Sequence, residues 1–311
     1  MPLKNKISIS WFRVIYLILV AIAMYLLASQ ISQLKGSIGH LKASNKIDDL
    51  IVLIFVISTY FFAALTYFSI SLKPIKYLRT LIIQFGISTL NKFLPAGLGT
   101  ISGNYAYLHK SGHSKDQSVA IVATDSIIGV IANLLLLTIL IAYLPFSKFN
   151  HLPIKTDLIL IIILAILLVA AVILSVPIWR RNILKRLKSI LHDIYYYRFL
   201  KKKLFYGLLC QIGLTLAYVL ALSFSLKSVS VSIPIGSVMV AYSFAIWLGT
   251  VIPAPGGAGS VDAGLVSGLL IFKISLPQVV AAVIIFRLIS FWLPAVIGIA
   301  PLVWSYRRRY L

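Results

Sequence analysis

The sequence predicts an all-α polytopic membrane protein, with about six full spans and two re-entrant broken-helix hairpins arranged as an inverted repeat. Three observations carry this. The chain of 311 residues is 60% hydrophobic with mean hydropathy +0.99, outside the range of a water-soluble globular domain. Its apolar residues gather in segments of about 20 or more, the length a helix needs to cross a hydrocarbon core of about 30 Å. Two of the apolar regions are interrupted by proline and glycine, in "FLPAGLGTISG" (residues 93–103) and "VIPAPGGAGSVDAG" (residues 251–264).

The six uninterrupted segments fall at about residues 11–31, 50–72, 117–144, 157–179, 204–226 and 277–305. The first follows a basic lead, as a secretory signal would, but further spans rather than a soluble domain come after it, so it reads as a retained helix. Orientation follows from Lys and Arg in the short loops. Lys4, Lys6 and Arg13, then Lys73, Lys76 and Arg79, then the basic segment 180–203, then Arg307, Arg308 and Arg309 all read as cytoplasmic. Both termini are therefore expected inside, and the loops at 35–49 and 145–157 outside. With these sides assigned, region 78–109 must enter and leave from the cytoplasm, and region 233–272 from the exterior. The whole of 1–311 is one membrane domain in which 50–144 and 204–305 are two repeats of opposite orientation. A direct echo supports the repeat: at an offset of 158, Pro95, Ala96, Gly99 and Ser102 align with Pro253, Ala254, Gly257 and Ser260.

Charge and composition exclude several functions. The formal net charge is +22, with 29 Lys and Arg against 7 acids, all of them aspartate. That excess reads as cytoplasmic loops facing anionic lipid, since no nucleic-acid-binding module accompanies it. With no glutamate and one cysteine, Cys210, the chain offers no disulfide and few metal ligands or general acids. His109 and His113 are four apart, but no third ligand completes a zinc set, so no metal and no cofactor is expected. No Walker loop, nucleotide fingerprint or G-x-S-x-G elbow is present, so no catalytic residue is nominated.

The breaks carry the functional reading. Pro95 and Pro253 remove a backbone donor and stop the incoming helix. Gly97, Gly99, Gly256, Gly257 and Gly259 permit tight turns and close approach of a ligand or of another helix. Irregular backbone at membrane depth must be buried in protein or line a wet cavity. The start of each outgoing half-helix, with its unpaired N–H groups, suits a phosphate. Gln84, Ser88, Asn91 and Lys92 form a polar stripe leading to the first break, and Asn104 lies just beyond it. Lys92 would meet a phosphate or reach for the membrane surface. Asp125 and Arg287 take nearly corresponding places in the spans that follow the two breaks. They are candidates for a buried ion pair joining the repeats, or for gating and headgroup contact. Asp262 either receives a cationic headgroup or enriches the first turn of a helix, and Asp125 and Asp262 are the candidate coupling residues.

"NKFLPAGLGTISGNYAYLHKSGHSKDQSVAIVATD" and "PAPGGAGSVDAGLVSGLLIFKISLPQVVAAVIIFRLISFWLP" resemble the membrane domain of the lysylphosphatidylglycerol synthase family, also called flippase-like or UPF0104. The second element is the more specific, with Pro255, Gly256, Gly257 and Gly259, then Asp262, Arg287 and Pro294. The first departs at Ser126, where an arginine is common in the family. The resemblance implies a bacterial or archaeal plasma-membrane protein that handles lipids. In synthase members the membrane domain translocates an aminoacylated phospholipid made by a separate soluble domain. No such domain follows the last span before Leu311, so synthase activity is not expected. The expectation is a transporter moving an anionic phospholipid or polyprenyl-phosphate-linked lipid between leaflets. Lys92, Pro95, Gly97, Gly99, Asn104, Pro253, Gly256, Gly257, Gly259 and Arg287 would bind it, and Asp125 and Asp262 would gate or couple. Its partners would be anionic membrane lipids, with no nucleic acid, and a homo-oligomer or a lipid-synthesis enzyme is open. The alternative is a membrane-embedded enzyme or partner subunit in lipid or glycan synthesis for the cell envelope.

Overall fold

The computed structural model describes residues 37–94, 97–142, 200–252 and 254–311. The predicted spans at 11–31 and 157–179, most of the basic segment 180–203, and Pro95 and Pro253 lie outside the described residues. The remainder is helical, with no strand among the described residues. In order come α1 (Lys46–Ile70), α2 (Tyr77–Phe93), α3 (Leu98–Lys110), α4 (Lys115–Ala142), α5 (Lys201–Ser228), α6 (Ile235–Val251), α7 (Ser260–Leu270) and α8 (Leu276–Arg287). A π-helical turn, Leu288–Trp292, then leads into α9 (Leu293–Ile297) and α10 (Ile299–Arg307).

Four stretches are long and apolar enough to cross a membrane: Lys46–Ile70, Lys115–Leu140, Lys201–Ser228 and Leu276–Arg307. They coincide with four of the six predicted spans. The last is a helical stretch of 32 residues with two local irregularities. Its hydrogen bonding widens at the π turn after Arg287, and Gly298 separates the two short helices that follow. Outward faces carry Ile54, Phe61, Phe68, Val130 and Val296, all exposed, as side chains in contact with acyl chains would be.

Local chemistry sets the ends. The Asn45 side chain accepts from the Ile47 N–H at 3.0 Å and Asp48 and Asp49 occupy the first turn, a favourable start for α1. α1 and α5 form the most extensive helix pair and run antiparallel. Asn45 N–H donates to the Ser228 carbonyl (2.9 Å) and Lys227 pairs with Asp48 (3.3 Å) at one end, while Gly207 packs against Ile70 at the other. Val52, Val56 and Tyr60 of α1, with Val219, Leu222 and Leu226 of α5, enter the main core, which continues through α6, α7 and α8.

The interrupted regions fold as two antiparallel hairpins. In the first, α2 and α3 are zipped by buried polar side chains. Gln84 Nε2 donates to Asn104 Oδ1 (2.7 Å), and Thr80 and Tyr107 share a hydroxyl hydrogen bond (2.7 Å). In the second, α6 and α7 meet through small residues, and a Cβ on Gly264 would lie 2.6 Å from Ala245 Cα. The arms are 17 and 13 residues in the first hairpin, 17 and 11 in the second. At 1.5 Å per residue each is shorter than a hydrocarbon core of about 30 Å.

Candidate functional site

The two breaks touch. Gly256 N–H of the second donates to the Leu94 carbonyl of the first at 3.4 Å. Gly256 has φ +58, and an added Cβ would fall 2.7 Å from the Lys92 carbonyl and 2.3 Å from the Phe291 ring. Only glycine satisfies both the left-handed backbone and that approach. Around this junction lies a cavity of about 380 Å³. The end of α2, both breaks, α5, α6, α7, α8 and the π turn wall it. Lys92, Gly97, Gly256, Gly257 and Arg287 line it, together with Ser88, Asn91, Tyr218, Tyr242, Thr250 and Ser290.

Its two cations are held differently. Lys92 is only 9% exposed, so it does not reach for the surface; its ammonium donates to Ser88 Oγ at 2.8 Å and sits 5.9 Å from the Phe291 ring centre. No described carboxylate pairs with it. Arg287 stacks on the other reach of Phe291, 4.5 Å from the ring centre, and its Nε lies 2.5 Å from Asp262 Oδ1. One positive charge on the wall is therefore left uncompensated among the described residues. The Phe291 ring, within cation–π range of both cations, stabilises each through its quadrupole.

Several expectations are corrected here. Asp125 and Arg287 do not pair. Arg287 meets Asp262, which is nearer because the second hairpin folds directly beneath α8. Asp125 instead accepts from Tyr67 Oη (2.8 Å) and Gln211 Nε2 (2.6 Å). Asp262 is spent on the protein itself, accepting also from Gly259 N–H (2.9 Å) in the first turn of α7.

The amides of the second break are consumed too. Gly256 donates to Leu94, Gly257 to Ala254, Ala258 to Pro255 and Gly259 to Asp262. At the first break, Thr100 N–H is taken by Asn91 Oδ1 (3.2 Å). Capacity to hold an anion thus lies with Lys92 and Arg287 more than with bare helix ends. Gly99 packs on the Asn91 backbone, and Asn104 is fully buried between the hairpin arms; neither lines the cavity. His113 is a structural anchor. Lys73 N–H donates to its Nε2 (3.1 Å), which places the proton on Nδ1, 3.1 Å from the Leu108 carbonyl.

Tyr67, Gln211 and Phe291 were not singled out by sequence. Gln211 alone carried a usable signal, as an amide in the middle of an apolar span.

Taken together, an all-helical polytopic architecture with long apolar helices around a cation-bearing cavity defines a membrane protein. The chain belongs to the family described as the lysylphosphatidylglycerol synthase TM region, whose profile matches residues 8–298. No curated protein matches it. The family places the chain among multi-pass membrane proteins of lipid or cell-envelope synthesis or transport.

Proposed function

We propose that this protein moves an anionic phospholipid, or a polyprenyl-phosphate-linked lipid, between membrane leaflets. The supporting observation is the cavity at the junction of the two breaks, with Lys92 buried, facing it and without a carboxylate partner among the described residues. Burying an unpaired ammonium is costly, and a bound phosphate would remove that cost. A volume of about 380 Å³ lies in the lower part of the range for small-molecule sites, about 300–1,000 Å³. It suits a headgroup whose tails remain in lipid.

Arg287, steered by Asp262, would be the second phosphate contact, with Gly97, Gly256 and Gly257 letting the headgroup approach the backbone. The antiparallel pairing of α1 with α5 favours reading 50–144 and 204–305 as inverted repeats, which would rock about the cavity. In that reading the first hairpin enters from the cytoplasm and the second from the exterior. Single cysteines at Ser114 and Ser230, in a background lacking Cys210, would then react from inside and outside respectively.

The decisive assay is leaflet exchange of a fluorescent anionic lipid in proteoliposomes of the purified full chain. Lys92→Ala lowers the rate by tenfold or more, a barrier increase of about 1.4 kcal/mol, and leaves a zwitterionic lipid unaffected. Chemical conversion of the lipid without exchange would reject transport in favour of an enzyme.

A further inference from the structure

Asp125 differs from every other described carboxylate buried in the bundle. Asp48 pairs with Lys227, Asp49 with Lys46 and Asp262 with Arg287. Asp116 is exposed at the start of α4. Asp125, well inside α4, has no described cation within ion-pair distance. Instead its oxygens are divided between two neighbouring helices. Tyr67 of α1 donates to Oδ2 and Gln211 of α5 to Oδ1. Three long helices thus converge on one acid through neutral donors alone.

Charged and titratable groups on the elements packed against α4 have other partners or lie elsewhere: on α5, Lys203 donates to the Ser71 carbonyl and Lys227 pairs with Asp48. On α3, Tyr105 stacks on His109, whose Nδ1 faces the His113 carbonyl. Also on α5, Cys210 lies beside Ser69, and on α6, Tyr242 lines the cavity.

A carboxylate at membrane depth that lacks a cation is stable as an anion only through such donors. Binding one proton removes the charge altogether, and with it the cost of keeping an anion there. The site is also connected. Tyr67 lies beside Asn104, Asn104 Oδ1 accepts from Gln84 Nε2 (2.7 Å), and the α2 face carrying Gln84 continues through Ser88 to Lys92 at successive turns.

We propose that Asp125 is a reversible proton-binding site, and that the track through Tyr67, Asn104 and Gln84 conveys its charge state to the cavity holding Lys92. In uptake, a proton from solvent water forms one O–H bond on the carboxylate. That O–H donates to the Tyr67 oxygen or to Gln211 Oε1 once the amide turns, and release reverses the step. Asp262 is set apart from this role by its ion pair with Arg287.

The site itself does not depend on the transport reading, and infrared difference spectroscopy of the full chain in lipid nanodiscs tests it directly. Acidification raises a carboxylic-acid C=O band in the wild type. The band is absent in Asp125→Asn and present in Asp262→Asn. Tyr67→Phe, which takes one donor from the ionised form, makes the band appear at higher pH than in the wild type and serves if Asp125→Asn does not fold. A band that survives Asp125→Asn, or an unmoved band in Tyr67→Phe, overturns the site. In proteoliposomes under an imposed pH gradient, wild-type exchange of fluorescent phosphatidylglycerol changes several-fold with pH and Asp125→Asn is flat. Equal pH dependence in both overturns the coupling. An intact band with no exchange at any pH supports the site and rejects the transport reading alone.

Discussion

The two hairpins solve one problem with different materials. Each must bring two short apolar helices together around a break without leaving buried backbone unsatisfied. The first does so with side chains. Gln84 to Asn104, Thr80 to Tyr107 and Asn91 to Thr100 link its arms, and the break itself is short, residues 94–97. The second brings its backbones into contact through Gly264 and Gly268 and spends its longer break, residues 252–259, on hydrogen bonds within the loop and to Leu94. Its charges cancel locally, Arg287 against Asp262, while the first hairpin leaves Lys92 unmatched. A polar arm, uncompensated among the described residues, thus faces a self-satisfied one across the cavity, which is why the proposed anion contact rests chiefly on the first.

The largest test of this contrast is Arg287→Ala. If the second hairpin is locked by its ion pair, the substitution strands a carboxylate that is 16% exposed and lowers stability by about 3 kcal/mol. Thermal unfolding in detergent reads the loss, and the double variant Arg287→Gln, Asp262→Asn recovers much of it.

A smaller effect separates the two ways of joining arms. Gly264→Leu forces α6 and α7 apart and costs about 2 kcal/mol. Asn104→Leu in the first hairpin costs about 1 kcal/mol, the usual range for a hydrogen bond within a membrane bundle. Equal losses in the same unfolding assay would erase the distinction.

The smallest effect concerns the loop that ends the first hairpin. Burial, with Lys73 and Lys203 nearby, holds the His113 imidazole below its ordinary pKa of 6.5. The unfolded chain then binds the proton more readily than the folded one. Stability contributed by neutral His113 is full above about pH 6.5 and is lost as the pH falls below that value towards the folded-state pKa. His113→Gln flattens this part of the unfolding profile between neutral and acidic buffer, and no comparable titration is expected in the loop that ends the second hairpin.

Much of this architecture was legible in the residues. Apolar run length marked Lys46–Ile70, Lys115–Leu140 and Lys201–Ser228 because lipid leaves the backbone no alternative to a helix. Proline and glycine marked both breaks because their backbone constraints act locally. Lys92, Gly97, Gly256, Gly257 and Arg287, singled out because charge and conformational freedom are costly in a span, all line the cavity. Less legible was the division of labour among glycines. Gly99 and Gly257 align by offset, yet Gly99 lies inside α3 against the Asn91 backbone, and Gly257 takes a left-handed turn (φ +69).

The sequence by itself determined that this chain is a helical membrane protein, where its helices break, and which few charges lie in apolar surroundings. Those properties follow from hydropathy, covalent geometry and the cost of burying charge, each a function of neighbouring residues. Only the tertiary structure decided which aspartate Arg287 meets, that Asp125 is held by Tyr67 and Gln211, and that the two breaks share a cavity. Partner choice among buried polar groups depends on distances across helices far apart in the chain. A difference of a few ångströms there, invisible to local pattern, selects one pairing and forbids the other.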